Sequence, residues 1–198
     1  SARPPLNHSM SVALRERLDL AFLVLGCLLH WLVARLSWFW ERDPSLWVFG
    51  ARSGAGFSDN SKYLFLHISS HHPEIRPVWL SKNESVIREL RAHGYEAYYT
   101  YSPRGLYLNL RAGVVLFTHG LRDINFWCSG GARAVLLWHG TPLKKISWDS
   151  HFPNAALPVR LAHRYAHRVL DLVIVTTTEL TSVFVSGLRV DSDVIAAT

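Results

Sequence analysis

For a chain of 198 residues, a hydrophobic content of 49% rules out general disorder and supplies the apolar surface for one good core. Lys and Arg number 21 against 15 Asp and Glu, a formal charge of +6, which favours an anionic partner without choosing among phosphate-rich substrate, lipid headgroups and nucleic acid. The two cysteines, Cys27 and Cys128, have no CxxC or Cys/His ligand spacing, which argues against a disulfide framework or zinc site and for a reducing compartment.

Residues 1–10 read as a polar, proline-containing tail. From Leu18 to Trp40 the chain turns apolar, with an uncharged core from Leu20 to Ala34, Arg15 and Arg17 before it, and Arg35, Trp38 and Trp40 after it. That core is shorter than the roughly 20 residues a membrane span requires, and His30 lies inside it. The segment therefore predicts an apolar N-terminal helix that anchors in the plane of a membrane or re-enters it, with a true span and an ordinary buried helix as alternatives. No small-residue cleavage site follows it, which argues against a signal peptide. Glu41, Arg42, Asp43 and Pro44 read as a charged linker, dividing a tail and membrane-associated helix (1–43) from a folded domain (44–198).

After the linker, short apolar runs alternate with helical patterns. Strands are expected at Leu46 to Phe49, Arg76 to Leu80, Ala97 to Thr100, Val114 to Phe117, Ala134 to Trp138, Leu172 to Thr176 and near Val194. Helices are expected at Ser61 to Ser70 behind the capping residues Ser58, Asp59 and Asn60, at Glu84 to His93 with Gly94 as its stop, and at Arg104 to Arg111. Two more follow, at Leu157 to Leu170 and Glu179 to Ser186. This rhythm predicts an α/β fold: a Rossmann-like parallel sheet with helices on both faces and ligands beyond the carboxyl ends of its strands.

Four places carry candidate chemistry. Val135, Leu136, Leu137 and Trp138 run into His139, Gly140, Thr141, Pro142, Lys144 and Lys145. Gly140 permits a tight turn, and Thr141 and Pro142 suit the cap and first position of a following helix, whose N–H groups would hold phosphate. With His139 as base and the lysines as cations, this loop has the parts for phosphoryl transfer to a hydroxyl. The glycine-rich loop from Gly50 to Gly56 fits neither GxGxxG nor a Walker motif; Arg52, Ser53 and Asn60 near it are candidates for touching an anion, with a plain capped helix as the alternative. His119 ends the preceding strand and gains interest from lying beside His139 on a parallel sheet. Along Leu157 to Leu170, Arg160, His163, Arg164, His167 and Arg168 form a cationic face suited to an anionic lipid or polymer, or simply to solvent. The i, i+4 spacing of His163 and His167 lacks an intervening glutamate, so no metal is expected. The basic residues are not interleaved with aromatics in any nucleic-acid motif, so nucleic acid is not expected either.

Trp47 to Ile68 (WVFGARSGAGFSDNSKYLFLHI), Arg76 to Asn83 (RPVWLSKN) and Leu136 to Ile146 (LLWHGTPLKKI) together resemble the CDP-glycerol glycerophosphotransferase family of teichoic-acid primases and polymerases. The resemblance implies the N-terminal, acceptor-side half of a GT-B fold, with a C-terminal donor domain absent from these residues. It implies a monotopic or peripheral enzyme on the cytoplasmic face of the cell membrane, with no cofactor. That enzyme would move glycerol phosphate, or a related polyol phosphate, from a CDP-polyol donor to the hydroxyl of a lipid-linked polymer acceptor. His139 falls on the family's proposed base; Gly140, Thr141, Lys144, His119, Arg52 and Asn60 would bind substrate or phosphate. Arg160, Arg164, His167 and Arg168 would meet membrane or anionic polymer. A homo-oligomer is left open. The competing readings are a nucleotide-sugar glycosyltransferase of the same fold and a non-catalytic membrane-associated domain that binds an anionic polymer.

Overall fold

The computed structural model describes residues 6–36, 39–120, 122–150 and 152–198. Ser1 to Pro5, Trp38 and the side chains of Arg15, Arg17 and Leu20 lie outside the described residues, so expectations placed on them are not tested. A long helix, α1 (Leu6–Leu36), leads into β1 (Asp43–Phe49), α2 (Asp59–His71), β2 (Arg76–Ser81), α3 (Glu84–Ala92) and β3 (Ala97–Tyr99). Then come α4 (Pro103–Arg111), β4 (Ala112–Phe117), β5 (Arg133–Leu136), α5 (Leu157–Arg168), β6 (Leu172–Val175), α6 (Thr181–Leu188) and β7 (Ile195–Ala197). The strands form one sheet in the order β3-β2-β1-β4-β5-β6-β7, and every pair is parallel. The Rossmann-like α/β sheet expected from the alternation is present.

Strands buried on both sides read as continuous apolar runs, and their alternate residues feed two cores. Val48, Val78, Val115 and Leu136 face Leu108 of α4 and Phe184 and Leu188 of α6. On the other face Phe49, Trp79 and Leu116 pack with Phe65 and Ile68 of α2 and Ile87 and Leu90 of α3. α3 begins where Asn83 accepts the Ser85 N–H (2.9 Å), and α4 where Ser102 accepts that of Gly105 (3.0 Å) ahead of Pro103. The strand order steps outward in opposite directions from β1, and right-handed crossovers then put the two sets of helices on opposite faces. Helices lie on both faces as expected, but the α2/α3 face is open over β4 to β6. There Trp47, Val114, Val135, Leu172 and Ile174 line a groove of about 760 Å³.

Two local expectations change. β5 stops at Leu136 because Trp138 adopts a positive φ of 56° and turns the chain out of the extended region. No helix follows Thr141 and Pro142: the chain stays irregular until a single 3-10 turn at Ser147–Asp149. Leu143, 94% exposed, has no core against which a helix face could pack, and a short helix without such packing is not stable.

α1 packs on α5 and on the turn Phe126–Cys128. The approach is close: a Cβ at Gly26 would strike the Trp127 ring, and one at Gly130 would strike the α1 backbone at His30 and Ala34. His30 is buried there, stacked on Phe126 (4.0 Å between centroids), with Nδ1 2.8 Å from the Tyr165 hydroxyl. Burial, and then the Arg42 charge, push its pKa down to about 4. Arg42 is not a solvated linker residue. Its guanidinium donates to the carbonyls of Asn109, Ala112, Cys128 and Gly130, and burial lowers its pKa to about 10. Away from this seam α1 exposes Leu25, Leu28, Trp31 and Leu32. Among the described residues no helix is long and apolar enough to cross a membrane.

Candidate active site

The chain leaves β4 through Thr118 and His119 and leaves β5 through Leu137, Trp138 and His139, adjacent exits because the two strands pair. This brings the imidazoles of His119 and His139 into a parallel stack, with centroids 4.2 Å apart and planes 3° apart. His139 Nδ1 lies 3.0 Å from the Thr118 carbonyl oxygen. A carbonyl only accepts, so Nδ1 carries the hydrogen and Nε2 of the neutral ring keeps its lone pair, the form a general base requires. Trp138 stacks on His139 at 4.5 Å, and Gly140, at φ 128°, turns the loop where a side chain would be strained. Asn60 spends its amide on the carbonyls of Leu137 (3.0 Å) and Trp138 (3.2 Å), so in this structure it braces the loop that presents His139.

Beneath the stack lies a residue that motif reading passed over. Asp123 is fully buried, and its carboxylate accepts from the N–H groups of Ser53 (2.6 Å), Thr118 (2.9 Å) and His119 (2.8 Å). It joins the glycine-rich loop after β1 to the loop after β4. Arg52, Ser53 and Gly54 hold φ values of 49°, 55° and 83° there, and a Cβ at Gly50 would collide with the Asp123 backbone. Arg52 is exposed. Lys82 Nζ ties the same loops from the solvent side, donating to the carbonyls of Ser53 (3.0 Å) and Arg122 (2.9 Å). The available signal for Asp123 was an acidic residue shortly after a strand-end Thr-His-Gly turn, where such side chains accept local N–H bonds.

His119 Nδ1 lies 2.9 Å from Thr118 Oγ1 and 3.9 Å from Asp59 Oδ2. Burial, followed by the charge of His139, lowers its pKa below the usual histidine range, against the upward pull of Asp123 and Asp59. The uncharged form of the His119 ring is favoured accordingly. A hollow of about 360 Å³ opens beside them, bordered by His119, Arg122, Trp138, Phe152, His163 and His167.

His167 leaves the cationic face on which the helical pattern put it. It turns inward, accepts from Trp148 Nε1 at 3.3 Å, and burial lowers its pKa to about 4, so it is neutral at neutral pH. His163 stacks on Phe152 at 3.9 Å. Arg160, Arg164 and Arg168 are exposed as expected from the pattern. Thr141 is exposed on the irregular loop, and Lys144 and Lys145 border a separate open hollow with Leu143 and Asp149, so the structure does not gather the lysines with the histidine pair.

An imidazole at the carboxyl edge of a parallel sheet, with Nδ1 held by a carbonyl and Nε2 without a hydrogen-bond partner among the described residues, is equipped to take a proton from a bound hydroxyl. Residues 32–198 match the sequence model of CDP-Glycerol:Poly(glycerophosphate) glycerophosphotransferase. The chain belongs to that family. A teichoic acid poly(glycerol phosphate) polymerase of Staphylococcus epidermidis is 25% identical over 112 residues, which make up 54% of this chain and 14% of the polymerase. The solved wall teichoic acid polymerase TagF matches with a TM-score of 0.65 at 19% identity, covering 96% of this chain and 44% of that one. A variant of TagF soaked with CDPG matches at 0.67, with 92% and 46% covered. These structural likenesses show a shared fold, and the glycerophosphotransferase-family chain spans less than half the length of each of these relatives.

Proposed function

We propose that the intact protein transfers glycerol phosphate, or a related polyol phosphate, from a CDP-activated donor to the hydroxyl of a lipid-linked acceptor in the synthesis of a teichoic-acid-like surface polymer. Residues 44–198 form its acceptor-side domain, and a second domain binds most of the donor. The observation that carries this reading is the His139 ring, held by the Thr118 carbonyl with Nε2 free, in a chain of the glycerophosphotransferase family. The acceptor oxygen attacks the β-phosphorus and gives its proton to Nε2. The new P–O bond forms as the bond to the bridging oxygen breaks, and CMP leaves with that electron pair. Arg52, and Thr141 and Lys144 once the loop closes on substrate, counter charge on the phosphoryl oxygens; Gly140 lets that loop approach them.

The reaction belongs at the cytoplasmic face of the membrane, with attachment peripheral or monotopic. Exposed Leu28 and Trp31 on α1 and Leu157 and Leu161 on α5 support this, as do the arginines of α5. In the intact protein, His139→Ala is expected to lower CMP release from CDP-glycerol in the presence of acceptor by at least about 100-fold. Wild-type turnover in that variant would remove His139 from its role, and preference for UDP- or GDP-sugars over CDP-polyols would favour a glycosyltransferase.

A further inference from the structure

Outside the histidine pair, the fully buried carboxylate of Asp123 is the most heavily used polar group at the carboxyl edge of the sheet. Its Oδ2 accepts from the Thr118 N–H, the His119 N–H and, at 3.3 Å, the Thr118 hydroxyl; its Oδ1 accepts from the Ser53 N–H. A buried carboxylate without such donors would be costly, so the three N–H groups and the carboxylate are each other's condition. The consequence reaches His139 through one peptide. Thr118 is fixed at its N–H and hydroxyl by Asp123, and its carbonyl is the group that accepts from His139 Nδ1. With the Thr118 hydroxyl directed to Asp123, its oxygen accepts from His119 Nδ1, so one carboxylate orders both stacked rings.

We infer that Asp123 is the positioning residue of the candidate site, a buried staple that joins the loops after β1 and β4 and, through the Thr118 peptide, holds His139 in the tautomer with Nε2 free. Its catalytic meaning rests on the transferase reading above; its structural meaning does not. The staple differs from ordinary core packing in being directional. Asn at this position has nearly the same shape, but its amide nitrogen must face either Ser53 N–H or the Thr118 and His119 N–H groups, donor against donor. Lys82 closes the same two loops from outside through backbone carbonyls and offers an independent handle, since its side chain is only half-buried.

The test uses Asp123→Asn and Lys82→Met in the intact protein, with transfer kinetics and imidazole ¹⁵N spectra of His139. A positioning residue predicts that Asp123→Asn lowers kcat by about 10- to 100-fold with the KM for CDP-glycerol within about twofold, as expected when a base is displaced by a fraction of an ångström. It also predicts that His139 loses the Nδ1–H signature expected of the wild type. Lys82→Met gives a smaller loss in the same direction and decides the matter if Asp123→Asn does not fold. A wild-type kcat in the folded variants, or an unchanged His139 tautomer in whichever variant folds, overturns the inference. If the wild type transfers from no donor, the transferase reading falls, while the tautomer spectra still decide whether Asp123 positions His139.

Discussion

The role proposed for His139 depends on which ring nitrogen carries the proton, and a single backbone carbonyl, that of Thr118, accepts from Nδ1. Two other histidines do structural work through the same variable. His30 seals α1 against Tyr165 and Phe126, and His167 supports Trp148; both are held neutral with pKa values near 4, against 6.5 for the free side chain. The unfolded chain therefore binds more protons than the folded one as pH falls below 6.5. The stability these groups permit is complete above pH 6.5 and is lost as the pH drops from 6.5 towards 4, by up to about 3 kcal/mol for each. Thermal denaturation is expected to show the melting temperature falling across that window. His30→Gln, which keeps a partner for the Tyr165 hydroxyl but does not titrate, should flatten the fall; an identical slope in that variant would show that His30 does not contribute. Asp123 is the residue that sequence reading could not rank, since its importance lies in donors 70 positions away at Ser53.

At the scale of elements, α1 and α5 act as a pair. Their contact hides Cys27 and His30 on one side and Ala162 and Tyr165 on the other, leaving a common outer surface that includes Leu28, Trp31, Leu157 and Leu161. Beside it stand the arginines of α5, so apolar insertion and attraction to anionic headgroups are available on adjoining surfaces. Burying a leucine in a membrane interface contributes on the order of 1.5–3 kcal/mol, so Leu28→Asp with Leu161→Asp is expected to reduce flotation with anionic liposomes by at least tenfold. Gln at Arg160, Arg164 and Arg168 should instead weaken binding at low salt and flatten its salt dependence. Undiminished flotation in both variants would place membrane contact elsewhere. The periodicity of α5 identified its basic stripe, but it could not separate His167 from the arginines, because the inward turn of that ring is set by Phe152 and Trp148 from another segment.

Across the whole molecule, the strand order puts the exits of β4 and β5 side by side and leaves the sheet open over β4 to β6. The groove ends near Asn60, Trp138 and Gly140, while the smaller hollow lies beside His119. With the donor domain proposed to lie outside residues 1–198, this chain alone is expected to release no CMP from CDP-glycerol, while the intact protein turns over with acceptor present. Turnover by the 198 residues alone would relocate donor binding to this domain.

The strands, the helices of the sheet and the candidacy of His139 were legible because they depend on short-range pattern. Short apolar runs bounded by turn residues mark the buried strands, amphipathic spacing and caps mark the helices, and an abrupt polar turn after an apolar run marks a strand end. Their bounds shifted by a few residues where φ angles intervened. The stacking of His119 on His139, the tautomer set by Thr118, the staple at Asp123 and the burial of Arg42 and His167 depend instead on groups far apart in the chain. Hydrogen bonding and desolvation act between neighbours in space, so those features became visible only once the parallel sheet had made distant loops adjacent.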